Sequence, residues 1–262
     1  MAFSTEEQVL LDHLMEKQRQ DKIDNPQKYA RGGSKKLYVF KLLDASSSMS
    51  SYTDQTISTF NETLDALNAA EAEVHVIRID FDGSARVVKR GPLKETEHHI
   101  NRSNYRPSGS TAMYDAIGLA FEEANKLEAD ENTSFLIELL TDGEENQSRR
   151  WTAQQVKREI EARKETGQWT VTVMGPKGSV NLFQNLGVDV GNIAQFNAHS
   201  AQSRGGVTRM MAAASHGYVK SLNASIGSVS VNSAYSSVAG SGSGAADVDS
   251  WLATAQSNGI GQ

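Results

Sequence analysis

Leu37-Tyr38-Val39-Phe40-Lys41-Leu42-Leu43-Asp44-Ala45-Ser46-Ser47-Ser48 reads as a strand that ends in one acid and three hydroxyls. Its apolar residues stand at consecutive positions rather than alternate ones, as expected of a parallel strand covered on both faces. The oxygen donors at its exit suit a hard divalent cation such as Mg²⁺. Two later segments offer more of the same chemistry. One is Gly109-Ser110-Thr111. The other is Leu139-Leu140-Thr141-Asp142-Gly143, where a second apolar run again ends in an acid.

Outward from that stretch, strand-like and helix-like segments alternate as far as about Leu222. The apolar runs predict strands over 37–43, 74–81, 85–89, 134–140, 170–174 and 192–196. Helical spacing links Ile57, Phe60, Leu64 and Leu67, then Met113, Ala116, Ile117, Ala120, Phe121, Ala124 and Leu127, and finally Val207, Met210, Met211, Ala214, Tyr218 and Leu222. This order predicts an α/β fold: a doubly wound, mostly parallel sheet with helices on both faces. Segment 85–89 is short, less apolar and follows the turn-like Asp82-Gly83-Ser84, so it is expected as the one antiparallel edge strand.

The 262 residues carry a net charge of −6 and no cysteine. A core of this size needs no disulfide, and thiolate metal sites are excluded. Zero cysteine and no signal-like N-terminus fit a cytoplasmic protein, or a virion-associated one if phage-encoded. No apolar run approaches the roughly 18 residues of a membrane span. The acidic balance argues against nucleic acid as a partner.

Residues 1–34 read as an appendage. Ser4-Thr5-Glu6-Glu7 has capping-box form, Val9, Leu10, Leu14 and Met15 make a narrow apolar stripe, and Gly32-Gly33 marks a joint. The appendage is either a helix docked on its own domain or one offered to a partner. Residues 35–222 form the α/β domain. Residues 223–262 are a Ser/Gly/Ala-rich tail with two acids, Asp247 and Asp249, and no Lys or Arg. Composition reads the tail as disordered around Gly240-Ser241-Gly242-Ser243-Gly244. Val229, Val231, Tyr235, Trp251 and Leu252 are the anchors through which a contact would order it.

Ligands of open α/β sheets collect outside the carboxyl ends of the strands. Asp44, Ser46, Ser48, Thr111 and Asp142 all map to that edge. Singly, each has an ordinary reading. The Asp-x-Ser-x-Ser run is a turn with helix-capping hydroxyls, Thr111 an N-cap and Asp142-Gly143 a turn pair. Together they supply two carboxylates and three hydroxyls to one cation, with at least one of its six positions left open.

In these segments the sequence resembles the von Willebrand factor A domains, whose metal-ion-dependent adhesion site reads Asp-x-Ser-x-Ser, then Thr, then Asp. Asp44, Ser46 and Ser48 stand at the first positions, Thr111 in Gly109-Ser110-Thr111-Ala112-Met113-Tyr114-Asp115 at the second, and Asp142 in Thr141-Asp142-Gly143-Glu144-Glu145 at the third. Phe81-Asp82-Gly83-Ser84-Ala85 is similar to the family's stretch before its edge strand. The likeness covers roughly 35–222 and is closest to intracellular prokaryotic or phage-type members. Ser47 stands where glycine is common. The resemblance implies Mg²⁺ or Mn²⁺ held by the three hydroxyls, with Asp44 and Asp142 acting directly or through water. It also implies an open position filled by an Asp or Glu carboxylate of a protein partner, and no enzymatic activity. Tyr114, Glu144, Glu145 and Arg106 would rim the site.

Two other readings stand beside it. Val76-Ile77-Arg78-Ile79-Asp80-Phe81-Asp82-Gly83-Ser84 looks like the nucleophile motif of haloacid-dehalogenase-type phosphohydrolases, with Asp80 attacking and Asp82 moving the proton. That motif normally lies on a first strand, and nothing downstream completes its Mg²⁺ site. The third reading is a scaffold subunit of a larger assembly, a virion or secretion apparatus, held by its tails. No Gly-x-Ser-x-Gly elbow or phosphate-binding glycine loop is present, and His98-His99 reads as a solvated pair.

Overall fold

A computed structural model describes residues 35–142, 145–225, 227–240 and 244–257. The expected N-terminal helix lies outside them. Seven strands form one sheet in the order β3-β2-β1-β4-β5-β6-β7. They are β1 (Lys36–Asp44), β2 (Glu73–Phe81), β3 (Ala85–Pro92), β4 (Thr133–Leu140), β5 (Trp169–Pro176), β6 (Ile193–Phe196) and β7 (Ala246–Asp247). All neighbours are parallel except β2 and β3. The expected doubly wound sheet with its antiparallel edge is therefore the fold.

Consecutive apolar residues in β1 and β4 are buried because each face of the sheet has its own helical layer. On one face lie α1 (Thr53–Leu67) and the long α5 (Ala201–Ala224). There Phe60, Leu64, Leu67, Tyr218 and Leu222 pack on Leu37, Val39, Leu43, Val76 and Leu136. On the other lie α2 (Met113–Ala124), α3 (Ala153–Glu165) and α4 (Val180–Asn185). Met113, Ile117, Phe121, Val156, Ile160 and Phe183 cover Phe40, Leu42, Ile79, Phe81, Ile137 and Val173. Thr152 and Gln155 start α3 with a reciprocal capping box.

One row of the sheet is polar and buried. Arg78, Lys41, Glu138 and Thr172 occupy equivalent positions on β2, β1, β4 and β5. Lys41 Nζ donates to Glu138 Oε2 and Thr63 Oγ1, and Ser215 Oγ donates to Glu138 Oε1 at 2.8 Å. Arg78 forms a bidentate pair with Asp80, at 2.6 and 2.5 Å. The Phe60 ring lies over both cations.

The described tail residues are folded where composition alone reads disorder; 241–243, at the centre of that reading, lie outside the described residues. Val229 N donates to Ser134 Oγ and Val231 N to Thr170 Oγ1, so the chain crosses the amino ends of β4 and β5. Asn192 then holds it from both sides, donating to Val231 O and accepting from Ala234 N. After α6 (Ala234–Ala239) the chain returns as β7, beside β6, and as α7 (Val248–Ser257). Tyr235, Ala246, Val248 and Leu252 join the core around Phe196 and Met210. Gly206 of α5 makes the close approach possible, because a Cβ there would sit 2.6 Å from Val248 Cγ1 and 2.7 Å from Leu252 Cδ1. The tail's two acids, Asp247 and Asp249, both pair with Lys177. Among the described residues no helix is long and apolar enough to cross a membrane.

Candidate metal site

The carboxyl ends of β1 and β4 deliver Asp44 and Asp142 to one edge. Asp44 is wholly buried. Its Oδ1 accepts from Ser46 N at 2.8 Å and its Oδ2 from Thr141 Oγ1 at 2.6 Å. Tyr105 OH, itself buried, donates to the Asp44 backbone oxygen at 2.6 Å. Ser46 Oγ and Ser48 Oγ lie 3.0 Å apart, and Ser48 Oγ donates to Asp142 Oδ1 at 2.9 Å. Four of the five anticipated residues thus form one hydrogen-bonded cluster.

Thr111 joins them through the backbone. Ser47 N donates to Gly109 O at 3.0 Å and Ser108 N to Ala45 O at 2.7 Å, which seats the 105–111 loop against the Ser46–Ser48 turn. On its other side Thr111 N donates to Asn146 Oδ1, and Asn146 N and Gln147 N donate to Thr111 O. Behind them Asp115 Oδ1 accepts from Arg150 N and Trp151 N, and its Oδ2 from Arg149 N. These bonds fix residues 146–151 to the start of α2.

The ordinary readings of the hydroxyls do not hold. Ser46 precedes a 3-10 turn (Ser47–Tyr52) but makes no side-chain cap bond. The N-cap of α2 is Ala112, also without a side-chain cap. The first-turn amides of α2 are met instead by Glu145 Oε2, from Tyr114 N, and Ser148 Oγ, from Asp115 N. Ser46 and Thr111 are therefore not spent on helix ends. Glu145, expected on the rim, serves α2 and its own turn.

The donor set fits a hard cation. Adjacent oxygens about 2.0–2.1 Å from Mg²⁺ stand about 2.9 Å apart in an octahedron. Ser46 Oγ to Ser48 Oγ and Ser48 Oγ to Asp142 Oδ1 already match that spacing, at 3.0 and 2.9 Å. Among the described residues no group of three His, Asp or Glu gathers into a metal-ligating cluster. The edge instead combines only two carboxylates with neutral hydroxyls, so a divalent ion there would be balanced but not over-neutralised, with coordination positions left for an incoming anion.

Burial pushes the Asp44 carboxyl up from 3.8 to about 6, against the bonds from Thr141 and Ser46, and nearby Asp142 adds a little. Burial also raises the Asp142 carboxyl. Folded protein thus holds the Asp44 proton more tightly than unfolded chain. Without metal, stability falls as pH rises from about 4 to about 6, by roughly 3 kcal/mol in total. A cation at these oxygens would offset that loss. Stabilisation by Mg²⁺ is therefore expected to be small at pH 5 and to reach its plateau above pH 7. Thermal unfolding with and without Mg²⁺ checks this, and equal shifts in Tm at both pH values would contradict it.

The phosphohydrolase pair is arranged otherwise. Both Asp80 oxygens accept from Arg78 in a buried pair. Asp82 bonds Arg86 and Ser84 N. Asp80 is engaged inside the fold rather than presented to a substrate. Sequence reasoning missed Tyr105, Asn146 and Asp115. Their signal is weak, because each acts through backbone groups.

The von Willebrand factor type A domain profile matches residues 39–186, more than half the chain, and the chain belongs to that family. Domains of this family commonly serve as protein–protein interaction modules with metal sites and are typically non-enzymatic. Among solved structures, the PilB minor pilin from Streptococcus sanguinis aligns with a TM-score of 0.51 at 13% identity, covering 72% of this chain and 63% of that one. A von Willebrand factor type A protein from Catenulispora acidiphila gives 0.43 at 17%, covering 71% and 43%. The manganese-loaded Plasmodium vivax TRAP protein gives 0.46 at 16%, covering 62% and 69%. At these identities the likeness is one of fold. The chain spans less than two thirds of the first two proteins. No curated protein matches the sequence.

Proposed function

We propose that this domain is a metal-dependent protein-binding module, with a metal-ion-dependent adhesion site built from Asp44, Ser46, Ser48, Thr111 and Asp142. Ser46, Ser48 and Thr111 would hold Mg²⁺ or Mn²⁺ through their hydroxyls, and Asp142 and the buried Asp44 through carboxylate oxygen, directly or by way of water. The ion supplies a Lewis-acid position for the carboxylate of an Asp or Glu on the partner. The chain's own residues do the rest. Tyr105 and Thr141 hold Asp44. Asn146 and the Asp115 bonds keep the Thr111 loop in place before any partner arrives, which lowers the ordering cost of binding.

One observation carries this reading: the Ser46, Ser48 and Asp142 oxygens stand at octahedral spacing while no helix end claims the serines. Tail-held assembly gains no comparable support, since the described tail residues spend their apolar side chains on their own sheet. Capture of the partner from native extract is expected to disappear with EDTA, return with added Mg²⁺, and fail for Thr111→Ala. Capture unchanged by chelation and by that substitution would favour a scaffold role.

A further inference from the structure

Two arginines beside this edge have no ion-pair partner among the described residues. Arg106 and Arg149 are both exposed. Their neighbours are paired: Arg86 with Asp82 at 2.9 Å, Arg102 with Asp54 at 2.6 Å, and Arg150 with Glu122 at 2.9 Å. Each of these two arginines sits on a pinned backbone. Arg106 lies between Tyr105, whose hydroxyl bonds Asp44 O, and Pro107-Ser108, where Ser108 N bonds Ala45 O. Pro107 narrows the conformations of both residues. Arg149 follows Asn146 by three positions, and its amide donates to Asp115 Oδ2 at 3.0 Å. The two loops that carry them meet at Thr111.

On a chain that carries −6 overall, two exposed guanidinium groups without an ion-pair partner among the described residues stand on these two loops. A guanidinium binds carboxylate through two parallel N–H donors, and a fixed backbone reduces what that contact costs in entropy. We infer that this face takes an acidic protein segment with two or more carboxylates, one for the cation and the others for Arg106 and Arg149. The inference rests on the metal reading above.

Two synthetic peptides test it by calorimetry in Mg²⁺: Ac-Gly-Gly-Glu-Gly-Gly-NH₂ with one acid and Ac-Glu-Gly-Glu-Gly-Glu-NH₂ with three. Wild type is expected to bind the three-acid peptide about tenfold more tightly, one added charge-assisted contact being of that order. In the Arg106→Gln/Arg149→Gln double variant the ratio is expected to fall to about three, the statistical advantage of three acids over one at a single cation. A ratio unchanged in the variant, or one no larger than statistical in wild type, overturns the inference. So does arginine-dependent binding of a sulfated oligosaccharide when neither peptide binds. An arginine-dependent preference that survives EDTA contradicts the metal reading and leaves the arginine face standing. EDTA-sensitive binding with no arginine effect does the reverse.

Discussion

Glu138→Ala is expected to cost about 3–5 kcal/mol of folding stability, the range for stranding one member of a buried ion pair. Lys41 and Glu138 are opposite each other on β1 and β4, and only 4% and 5% of their side chains is exposed. The space beside them, about 10 Å³, has room for about one water and is lined largely by Leu42, Leu43, Phe60, Leu140 and Met211. One water cannot replace a carboxylate for the Lys41 ammonium. Total stability of such domains is about 5–15 kcal/mol, so the loss is a large share. Lys41→Met/Glu138→Leu is expected to lie within about 2 kcal/mol of wild type, since it removes both charges and keeps the volume. The hydroxyls it strands keep backbone acceptors: Thr63 bonds Thr59 O and Phe60 O, and Ser215 bonds Met211 O. Urea denaturation separates the two variants. Equal losses in both would show that packing, not charge pairing, dominates here.

Ending the chain at Leu222 is expected to abolish cooperative folding of the domain. The removed residues include Tyr235, Val248 and Leu252, none more than 4% exposed. Burying three such side chains contributes roughly 5–9 kcal/mol, comparable with the stability of the whole domain. Their loss would uncover Phe196, Met210 and Met211 and leave β6 as an open sheet edge. The 1–222 chain should aggregate or give a broad thermal transition without a defined midpoint. A sharp transition near that of the full chain would contradict the account. Leu252→Ala is the milder version, with an expected cost of about 2–5 kcal/mol.

The strands were legible because burial on both faces leaves consecutive apolar residues, and 74–81 and 134–140 lie within one residue of β2 and β4. The tail was not legible. Its segments are short, its anchors are separated by Ser, Gly and Ala, and its docking depends on a glycine of α5 that carries no signal alone. The polar row was missed for a different reason. Lys41, Arg78 and Glu138 each look like an isolated charge in an apolar run, and their meaning comes only from register. At the site the motifs name Asp44, Ser46, Ser48 and Asp142, which form one hydrogen-bonded cluster. The residues that hold them, Tyr105 through its hydroxyl and Asn146 and Asp115 through backbone amides, depend on loop geometry that pattern does not encode.

The most direct test of the central claim is a calorimetric titration of Mg²⁺, repeated with Mn²⁺, into wild type, Asp44→Ala and Asp142→Ala at pH 7.5 without any partner. The account predicts one saturable site per wild-type chain and none in either variant, with circular dichroism confirming that both variants remain folded. Equal heats in all three proteins, or no binding by wild type, would contradict it.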